Sequence, residues 1–324
     1  MTPAPRAGAG TARVVPVRAG DGSRPRIAVT LGDPRGIGPE VTLRALQDES
    51  LRNVAEFRVV GPSGTAMSPD VETGTWMRDG GAPLAGKLAG DAIERAVSMA
   101  LAGEVDGLVT APIDKSALLA GGYAFPGHTE MLAALTGAET AMMLASDRLR
   151  VVLATTHVAL RDVPRLVTGE TIERTAAITR DGLAAWFGIA SARIALCALN
   201  PHAGDHGRFG TEDDTVLAPA ARRAGLLGPF SADTVFVRAI RGEFDAVIAP
   251  YHDVGMTAIK VASFGSAVNI TLGLPFPRTS PDHGTALDIA GKGVADASSM
   301  IRAMRTCVEI VRTSRPEARG QRPE

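Results

Sequence analysis

Hydrophobic residues fall along this chain into short apolar runs, separated by longer stretches whose apolar positions have helical spacing. The apolar runs predict six strands, at residues 26–32, 57–61, 107–112, 149–157, 193–202 and 245–253. Residues 91–103 have the spacing of a helix and end at a glycine. Because strands that alternate with helices are covered on both faces, the pattern predicts a largely parallel α/β sheet. Residues 62–86 are rich in glycine and receive no assignment.

The composition of the chain limits the classes of ligand. The chain has 324 residues, of which 45% are hydrophobic, and this is enough for two α/β lobes. Its formal net charge is −1 and its aromatic content is 4%, so neither charge nor stacking favours nucleic acid or a membrane surface. No apolar run approaches the ~18 residues of a membrane span. We expect a small-molecule ligand, with no nucleic-acid or membrane partner.

The N-terminal residues and the cysteines bear on localisation. Residues 1–24 are rich in Ala, Gly, Pro and Arg, which predicts a disordered tail. An Arg-rich, acid-poor leader also resembles a transit peptide, but this one lacks an amphipathic pattern. Cys197 and Cys307 lie in apolar stretches and have no partners at metal-binding spacing. This usage is typical of a reduced, cytoplasmic protein.

Histidines follow three of the predicted strands. His157, His202 and His252 are three of only six histidines in the chain, and each follows a separate apolar run. Since the carboxyl ends of parallel strands meet at one edge of a sheet, these imidazoles are expected to converge there. Three imidazoles would hold a divalent metal ion with positions left open for substrate. The alternative is that each histidine caps a strand end through backbone hydrogen bonds.

Other polar residues stand in apolar or turn contexts. His128 and Thr129, in "PGHTE", either grip an anion or cap the helix that follows. Lys260, Asn269 and Arg278 interrupt an apolar stretch, so the two cations need either an internal carboxylate or an anionic substrate. "GDPRGIGPE" places glycines near a helix start, as an anion-binding loop does. Neither GxGxxG nor GxxxxGK[ST] occurs, so a standard Rossmann site or P-loop is not supported.

Long motifs resemble one enzyme family. In order, they are "GDPRGIGPE", "TAPIDKSAL", "PGHTEMLA", "NPHAGDHGRFGTED", "SADT", "YHDVG" and "VNITLGLPFPRTSPDHGTALDIAGKG". Over residues 26–310 the chain resembles the 4-hydroxythreonine-4-phosphate dehydrogenases of pyridoxal phosphate biosynthesis. The resemblance implies a two-lobed α/β fold like that of isocitrate and isopropylmalate dehydrogenases, with largely parallel sheets, helices on both faces and an active-site cleft between the lobes. It places residues 25–120 with 270–324 in a cofactor-side lobe, and 121–269 in a metal- and dimer-side lobe.

The resemblance also implies roles for individual residues. The metal ligands map onto His157, His202 and His252, with one of them supplied across the interface of a homodimer. The substrate contacts map onto His128, Thr129, Lys260, Asn269 and Arg278. The catalytic candidates are Lys260, Asp233 and Asp253. Residues 282–293 resemble the adenosine-binding loop of isopropylmalate and isocitrate dehydrogenases, which implies cofactor contacts from His283, Gly284, Thr285, Ala286 and Asp288.

The implied reaction is a metal-dependent, NAD-linked oxidation. The substrate would be 4-phosphooxy-L-threonine, decarboxylated to 3-amino-2-oxopropyl phosphate, with zinc or alternatively Mg, Co or Mn in the site. The Asp288 carboxylate suits the free ribose hydroxyl of NAD and repels the 2′-phosphate of NADP, so NAD is expected. Related substrates such as 4-phospho-D-erythronate or 4-phospho-D-threonate remain open, because residues 62–90 look shorter than in typical members. A non-catalytic ligand-binding relative is the second alternative, whereas the retained "PGHTE" disfavours a cis-dihydrodiol substrate.

Overall fold

The described residues form one sheet between two layers of helices. The structure is a computed structural model, and it describes residues 24–263 and 265–315. The strands are β1 Arg26–Thr30, β2 Glu56–Ser63, β3 Val71–Thr75, β4 Gly107–Thr110, β5 Ala141–Ala145, β6 Arg150–Leu153, β7 Ile194–Cys197, β8 Leu227–Phe230, β9 Ala246–Ala249, β10 Val268–Leu272 and β11 Arg278–Pro281. The α-helices are α1 Gly38–Gln47, α2 Gly81–Leu101, α3 Lys115–Ala120, α4 His128–Thr136, α5 Val163–Leu166, α6 Gly169–Phe187, α7 Ala218–Ala224, α8 Ala232–Ile240, α9 His252–Ser263 and α10 Ser298–Ser314. The predicted α/β class is confirmed.

The sheet is continuous and has two parallel halves. Its strand order is β3-β2-β1-β4-β11-β10-β5-β6-β9-β7-β8. The pairs β11–β10, β10–β5 and β5–β6 are antiparallel, and the other pairs are parallel. Three antiparallel pairs in succession reverse the strand direction, so the two halves run in opposite directions. The predicted lobe boundary between residues 269 and 270 falls inside β10.

Alternating side chains give the two faces of the sheet different cores. On one face a single hydrophobic core extends across both halves, and α1, α6 and α10 pack on it. On the other face two separate cores form, one under α2 and α4 and the other under α8 and α9. Ile27 and Ile270 point into the continuous core, whereas Ala28 and Leu144 belong to the divided face. The gap between the two cores lies over the middle strands β4, β11, β10 and β5.

The unassigned stretch 62–86 contains regular structure. It holds β3 and the first turns of α2, which begins ten residues before the predicted helix. Glycines hide this helix in the sequence because glycine has poor helix propensity. Tertiary packing requires them, since a Cβ at Gly86 would lie 1.7 Å from the Ala117 carbonyl oxygen and one at Gly90 would lie 2.0 Å from the Tyr123 ring. The close contact of α2 with α3 therefore overrides local propensity.

The remaining sequence expectations concern the N-terminal residues, the two cysteines and membrane-spanning helices. The predicted disordered tail falls on residues 1–23, which lie outside the described residues, and on Arg24, whose guanidinium donates to Asn53. Cys197 and Cys307 are both buried and unpaired. No helix among residues 24–263 and 265–315 is both long and apolar enough to cross a membrane.

Candidate active site

A polar cleft of about 360 Å³ opens where the divided face of the sheet lacks an apolar core. Its floor is the row of side chains that this face presents from the middle strands. The strand residues that line it are Thr110, Met142, Leu144, Asn269, Arg278 and Ser280. Helix α4 closes one side with His128 and Thr129, and α9 closes the other with His252 and Lys260. We call this site the polar cleft.

Arg278 lies at the base of the polar cleft and is only 2% exposed. Its guanidinium donates to the Thr110 and Thr271 hydroxyls. No carboxylate among the described residues forms a salt bridge with it. Burial lowers its pKa to about 9, which leaves it cationic at neutral pH. A buried cation without an internal carboxylate partner is suited to an anionic ligand group.

Three further polar atoms in the polar cleft have no partner. The buried atoms His128 Nε2, Asn269 Oδ1 and His283 Nε2 make no hydrogen bond in the structure. The other His283 ring nitrogen, Nδ1, lies 3.0 Å from the Gly284 carbonyl oxygen and therefore donates to it. Burial, followed by the charges of Arg278 and Lys115, lowers the pKa of His128 well below its usual value. These atoms converge on one volume and are available to a polar ligand.

Two of the predicted metal ligands meet at the cleft. His157 and His252 follow β6 and β9, which are parallel neighbours, and their ring centroids are 5.5 Å apart. His252 Nδ1 lies 2.7 Å from Asp253 Oδ1, so it carries the proton and leaves Nε2 as an electron-pair donor. Packing around His157 lowers its pKa, and the charges of Lys115 and His252 lower it further. Two imidazoles that meet in this way are suitable ligands for a divalent metal.

His202 and Asp233 lie apart from the polar cleft of their own chain. His202 follows β7, the other parallel neighbour of β9, but it is exposed in the turn Pro201–Gly204. Asp233 is exposed at the start of α8, which packs against that turn. Within the part of the chain that the structure describes, no three His, Cys, Asp or Glu side chains gather as a metal site. One chain therefore brings together two of the three predicted metal ligands.

Sequence reasoning missed three charged residues of the cleft, Lys115, Glu130 and Asp282. Asp282 follows β11, and its carboxylate lies 3.4 Å from Lys260 Nζ. Burial raises the pKa of Asp282, whereas the Lys260 charge lowers it. Lys115 begins α3 and also lines the cleft. The family motifs contained all three residues, but only their position around the cleft shows what they face.

The expected cofactor loop runs from the polar cleft to a second cleft. His283 and Gly284 line the polar cleft, and the Thr285 carbonyl accepts a hydrogen bond from the Ile37 N–H. Gly36 must be glycine there, because a Cβ would lie 2.8 Å from the Thr285 carbonyl oxygen. The second cleft, of about 600 Å³, is lined by Pro34, Arg35, Gly36, Pro39, Glu40, Gly64, Thr65, Ala66, Trp76, Arg78, Ala290, Gly291 and Gly293.

Other residues in the loops around the two clefts either form ion pairs within the protein or face solvent. Ala286 has φ 42°, and Asp288 is exposed and lines neither cleft. The Arg35 guanidinium forms a bidentate pair with Asp33 at 2.7 and 3.0 Å. The cation of "GDPRGIGPE" is therefore neutralised within its own loop.

Comparison with known proteins places this chain in a family. The profile of the family described as pyridoxal phosphate biosynthetic protein PdxA matches residues 41–307. The chain belongs to the PdxA family. A PdxA-family relative named 4-hydroxythreonine-4-phosphate dehydrogenase, from Geobacter metallireducens, is 43% identical over 90% of this chain and 96% of that protein. Another relative, the D-threonate 4-phosphate dehydrogenase of Cupriavidus necator, is 42% identical over 88% of this chain and 97% of that protein.

Solved structures agree with the PdxA assignment. The crystal structure of 4-hydroxythreonine-4-phosphate dehydrogenase from Klebsiella pneumoniae matches with a TM-score of 0.79 and 36% identity, over 90% of this chain and 99% of that one. A β-decarboxylating dehydrogenase from Thermococcus kodakarensis matches with a TM-score of 0.52 and 16% identity, over 91% of this chain and 87% of that one. The latter shows the fold alone and confirms the predicted fold class. The PdxA relatives are dehydrogenases, so this chain belongs to a family of oxidoreductases.

Replacing the buried cation separates a binding role from a structural one. We expect Arg278→Met to abolish the thermal stabilisation that inorganic phosphate gives the wild type. Its ligand-free stability should stay equal or rise, because no internal carboxylate loses a partner. Melting curves with and without phosphate measure both effects, and Arg241→Met, at an exposed arginine, is the matched control. A marked loss of ligand-free stability, with phosphate stabilisation retained, would contradict the anion-binding assignment.

Proposed function

We propose that the protein catalyses the metal-dependent, NAD-linked oxidation and decarboxylation of 4-phosphooxy-L-threonine to 3-amino-2-oxopropyl phosphate. The observation that carries the proposal is the make-up of the polar cleft. Arg278 is buried there without a carboxylate partner, and His157 and His252 line the same cleft with their rings in contact. When bound, the divalent ion supplies Lewis acidity at the substrate hydroxyl, and the nicotinamide supplies the hydride acceptor. In the overall reaction the carbinol carbon loses hydride and its hydroxyl proton, CO₂ leaves, and the α-carbon takes up a proton.

The polar cleft would orient the substrate by its anionic and polar groups. Arg278 would bind an anionic group from the floor of the cleft, because its charge has no internal counter-ion. Asn269 Oδ1 would accept a hydrogen bond from the rest of the substrate, and His128 Nε2 would form a second hydrogen bond with it. Thr129, which also lines the cleft, adds a hydroxyl on the same side as His128. A small, phosphorylated hydroxy acid has groups of the kinds that these residues recognise.

Lys260 and Asp282 would together transfer the protons of the reaction. Lys260 Nζ lies 3.4 Å from the Asp282 carboxylate, and both line the cleft. Such a pair can take the hydroxyl proton and return a proton after CO₂ has left. Asp253 would act on His252 by holding its Nδ1 proton, which fixes the tautomer that leaves Nε2 as a ligand atom. Asp233 would act only on a site formed with another subunit, since it is outside the polar cleft of its own chain.

The metal site would be completed by a second copy of the chain. His157 and His252 form two-thirds of the proposed ligand set, and His202 lies outside their cleft. Each histidine segment also carries an exposed apolar side chain, which is typical of an interface. These side chains are Val158, Leu160, Phe209 and Val261. A homodimer in which His202 of the partner subunit joins the pair accounts for both observations.

The cofactor would lie along the loop that joins the two clefts. His283 and Gly284 line the polar cleft and Ala290 and Gly291 line the second, so an elongated dinucleotide can reach from one to the other. Its nicotinamide would lie at the substrate and its adenosine in the second cleft, where Trp76 offers a stacking surface. Asp288 lines neither cleft, but its carboxylate lies in the same loop and would disfavour the 2′-phosphate of NADP by charge repulsion. The free cysteines support a cytoplasmic location.

A substrate panel tests the reaction. With NAD and zinc, we expect absorbance at 340 nm to rise with 4-phosphooxy-L-threonine, and CO₂ to be released in equal amount. The second candidate substrate is 4-phospho-D-threonate, favoured by the 42% identical relative named for it, with 4-phospho-D-erythronate beside it. Values of kcat/KM rank the three. Activity with none of them, in protein that contains metal, would favour a ligand-binding role instead.

Hybrid dimers test the shared metal site. We expect His202→Ala and His252→Ala to be inactive alone but active together, because one of the two sites in a heterodimer keeps all three histidines. Heterodimers purified through two different tags should retain about half of the wild-type kcat. Metal content, one ion per heterodimer against two per wild-type dimer, is measured on the same samples. A heterodimer of His157→Ala and His252→Ala, which has no intact site in this arrangement, is the control and should remain inactive.

Tryptophan fluorescence tests the cofactor site. The chain has two tryptophans, and Trp186 is only 2% exposed in the core. We therefore expect NAD or ADP-ribose to quench the emission of Trp76, with weaker binding of NADP. In Trp76→Leu the response should disappear while Trp186 still emits. An unchanged response in this variant would show that the adenosine end binds elsewhere.

A further inference from the structure

The segment 199–210, which carries His202, is anchored on one buried carboxylate. Asp213 is 1% exposed, and it accepts hydrogen bonds from the backbone N–H groups of Leu199 and Asn200 at 2.8 and 2.9 Å. These two residues link β7 to the turn that begins at Pro201. No cation among the described residues forms a salt bridge with Asp213. A buried carboxylate with backbone donors alone is costly to keep, so its value must lie in the segment that it holds.

The backbone of that segment has unusual torsions. Four of its non-glycine residues have φ between 45° and 55°, in the left-handed region that side chains disfavour. They are His202, Ala203, Asp205 and His206. Such a run persists only where surrounding contacts impose it. The two hydrogen bonds to Asp213 are made immediately before the run begins.

A second contact holds the far end of the segment. Asn200 Nδ2 donates to Glu212 Oε2 at 2.9 Å, which joins the start of the segment to the residue before Asp213. Gly210, at φ 128°, lies against this contact, since a Cβ there would be 2.6 Å from Glu212 Oε2 and 2.7 Å from Asn200 Nδ2. The segment is therefore closed into a loop at its base, with His202 exposed on it.

We propose that Asp213 is a positioning residue, which fixes the His202 loop in the shape that presents the imidazole to the metal site of the partner subunit. The inference rests on the shared site of the proposed function. Asp213 touches neither substrate nor metal in this arrangement and acts only through the backbone of Leu199 and Asn200. A carboxylate is required because both of its oxygens accept from N–H groups, whereas an amide would turn an NH₂ group toward one of these donors.

The test uses the chain-specific pattern of hybrid dimers. Asp213→Asn should behave as a defect of the His202 side, so its heterodimer with His252→Ala should be active and its heterodimer with His202→Ala inactive. Its homodimer should bind zinc about 10- to 100-fold more weakly than the wild type, as for other residues that orient a metal ligand. Asp214→Asn, at the exposed neighbour, is the control and should bind zinc normally.

The outcomes separate this proposal from the one on which it rests. If the His202→Ala and His252→Ala pair fails to complement, the shared site is wrong and this proposal falls with it. If that pair complements but Asp213→Asn fails with both partners, Asp213 has a general structural role and only this proposal is overturned. Should Asp213→Asn not form dimers, Gly210→Ala displaces the same loop at its base, where the new Cβ meets the contact of Asn200 with Glu212. It must then give the same pattern, and equal loss with both partners would overturn the proposal.

Discussion

The site depends on an arginine that is buried in the middle of the sheet without a counter-ion. Burying a charge costs several kcal/mol, and two threonine hydroxyls offset only part of that cost, at about 1.5–3 kcal/mol for each hydrogen bond to a charged group. The fold tolerates Arg278 because one face of the sheet is packed by a continuous core, which leaves the other face free to divide. The cleft and its unpartnered polar atoms follow from that division.

The apolar runs predicted the topology of the strands that precede the histidines, but not the positions of all three histidines. β6, β9 and β7 are adjacent and parallel, so the histidines that follow them share an edge, as the apolar runs indicated. Only His157 and His252 meet, because His202 lies five residues beyond its strand in a turn with left-handed backbone. Spacing along a chain gives the edge to which a residue belongs. It does not give the direction of a loop that leaves that edge.

What the sequence could not predict depends on contacts between distant segments. The sequence predicted only the C-terminal half of helix α2, because Gly86 and Gly90 have poor helix propensity. Both glycines are required where α2 packs against α3 and Tyr123. Asp282 lies in one of the family motifs, but its role is visible only in the fold, where its carboxylate lies 3.4 Å from Lys260 Nζ. Asp213 reads as one more acid in "GTED", although its burial and its two backbone donors distinguish it from Asp214. Family membership indicates the class of reaction. The contacts between distant segments indicate the roles of individual residues.

In the proposed homodimer, one chain holds an incomplete metal site and a second copy of the chain completes it. Anomalous diffraction at the zinc absorption edge, from crystals of the zinc-loaded protein, measures this directly. We expect one peak per site, about 2.0–2.1 Å from a ring nitrogen of each of three histidines: His157 and His252 of one subunit and His202 of the partner subunit. A fully occupied zinc held by ligands of a single subunit would contradict it.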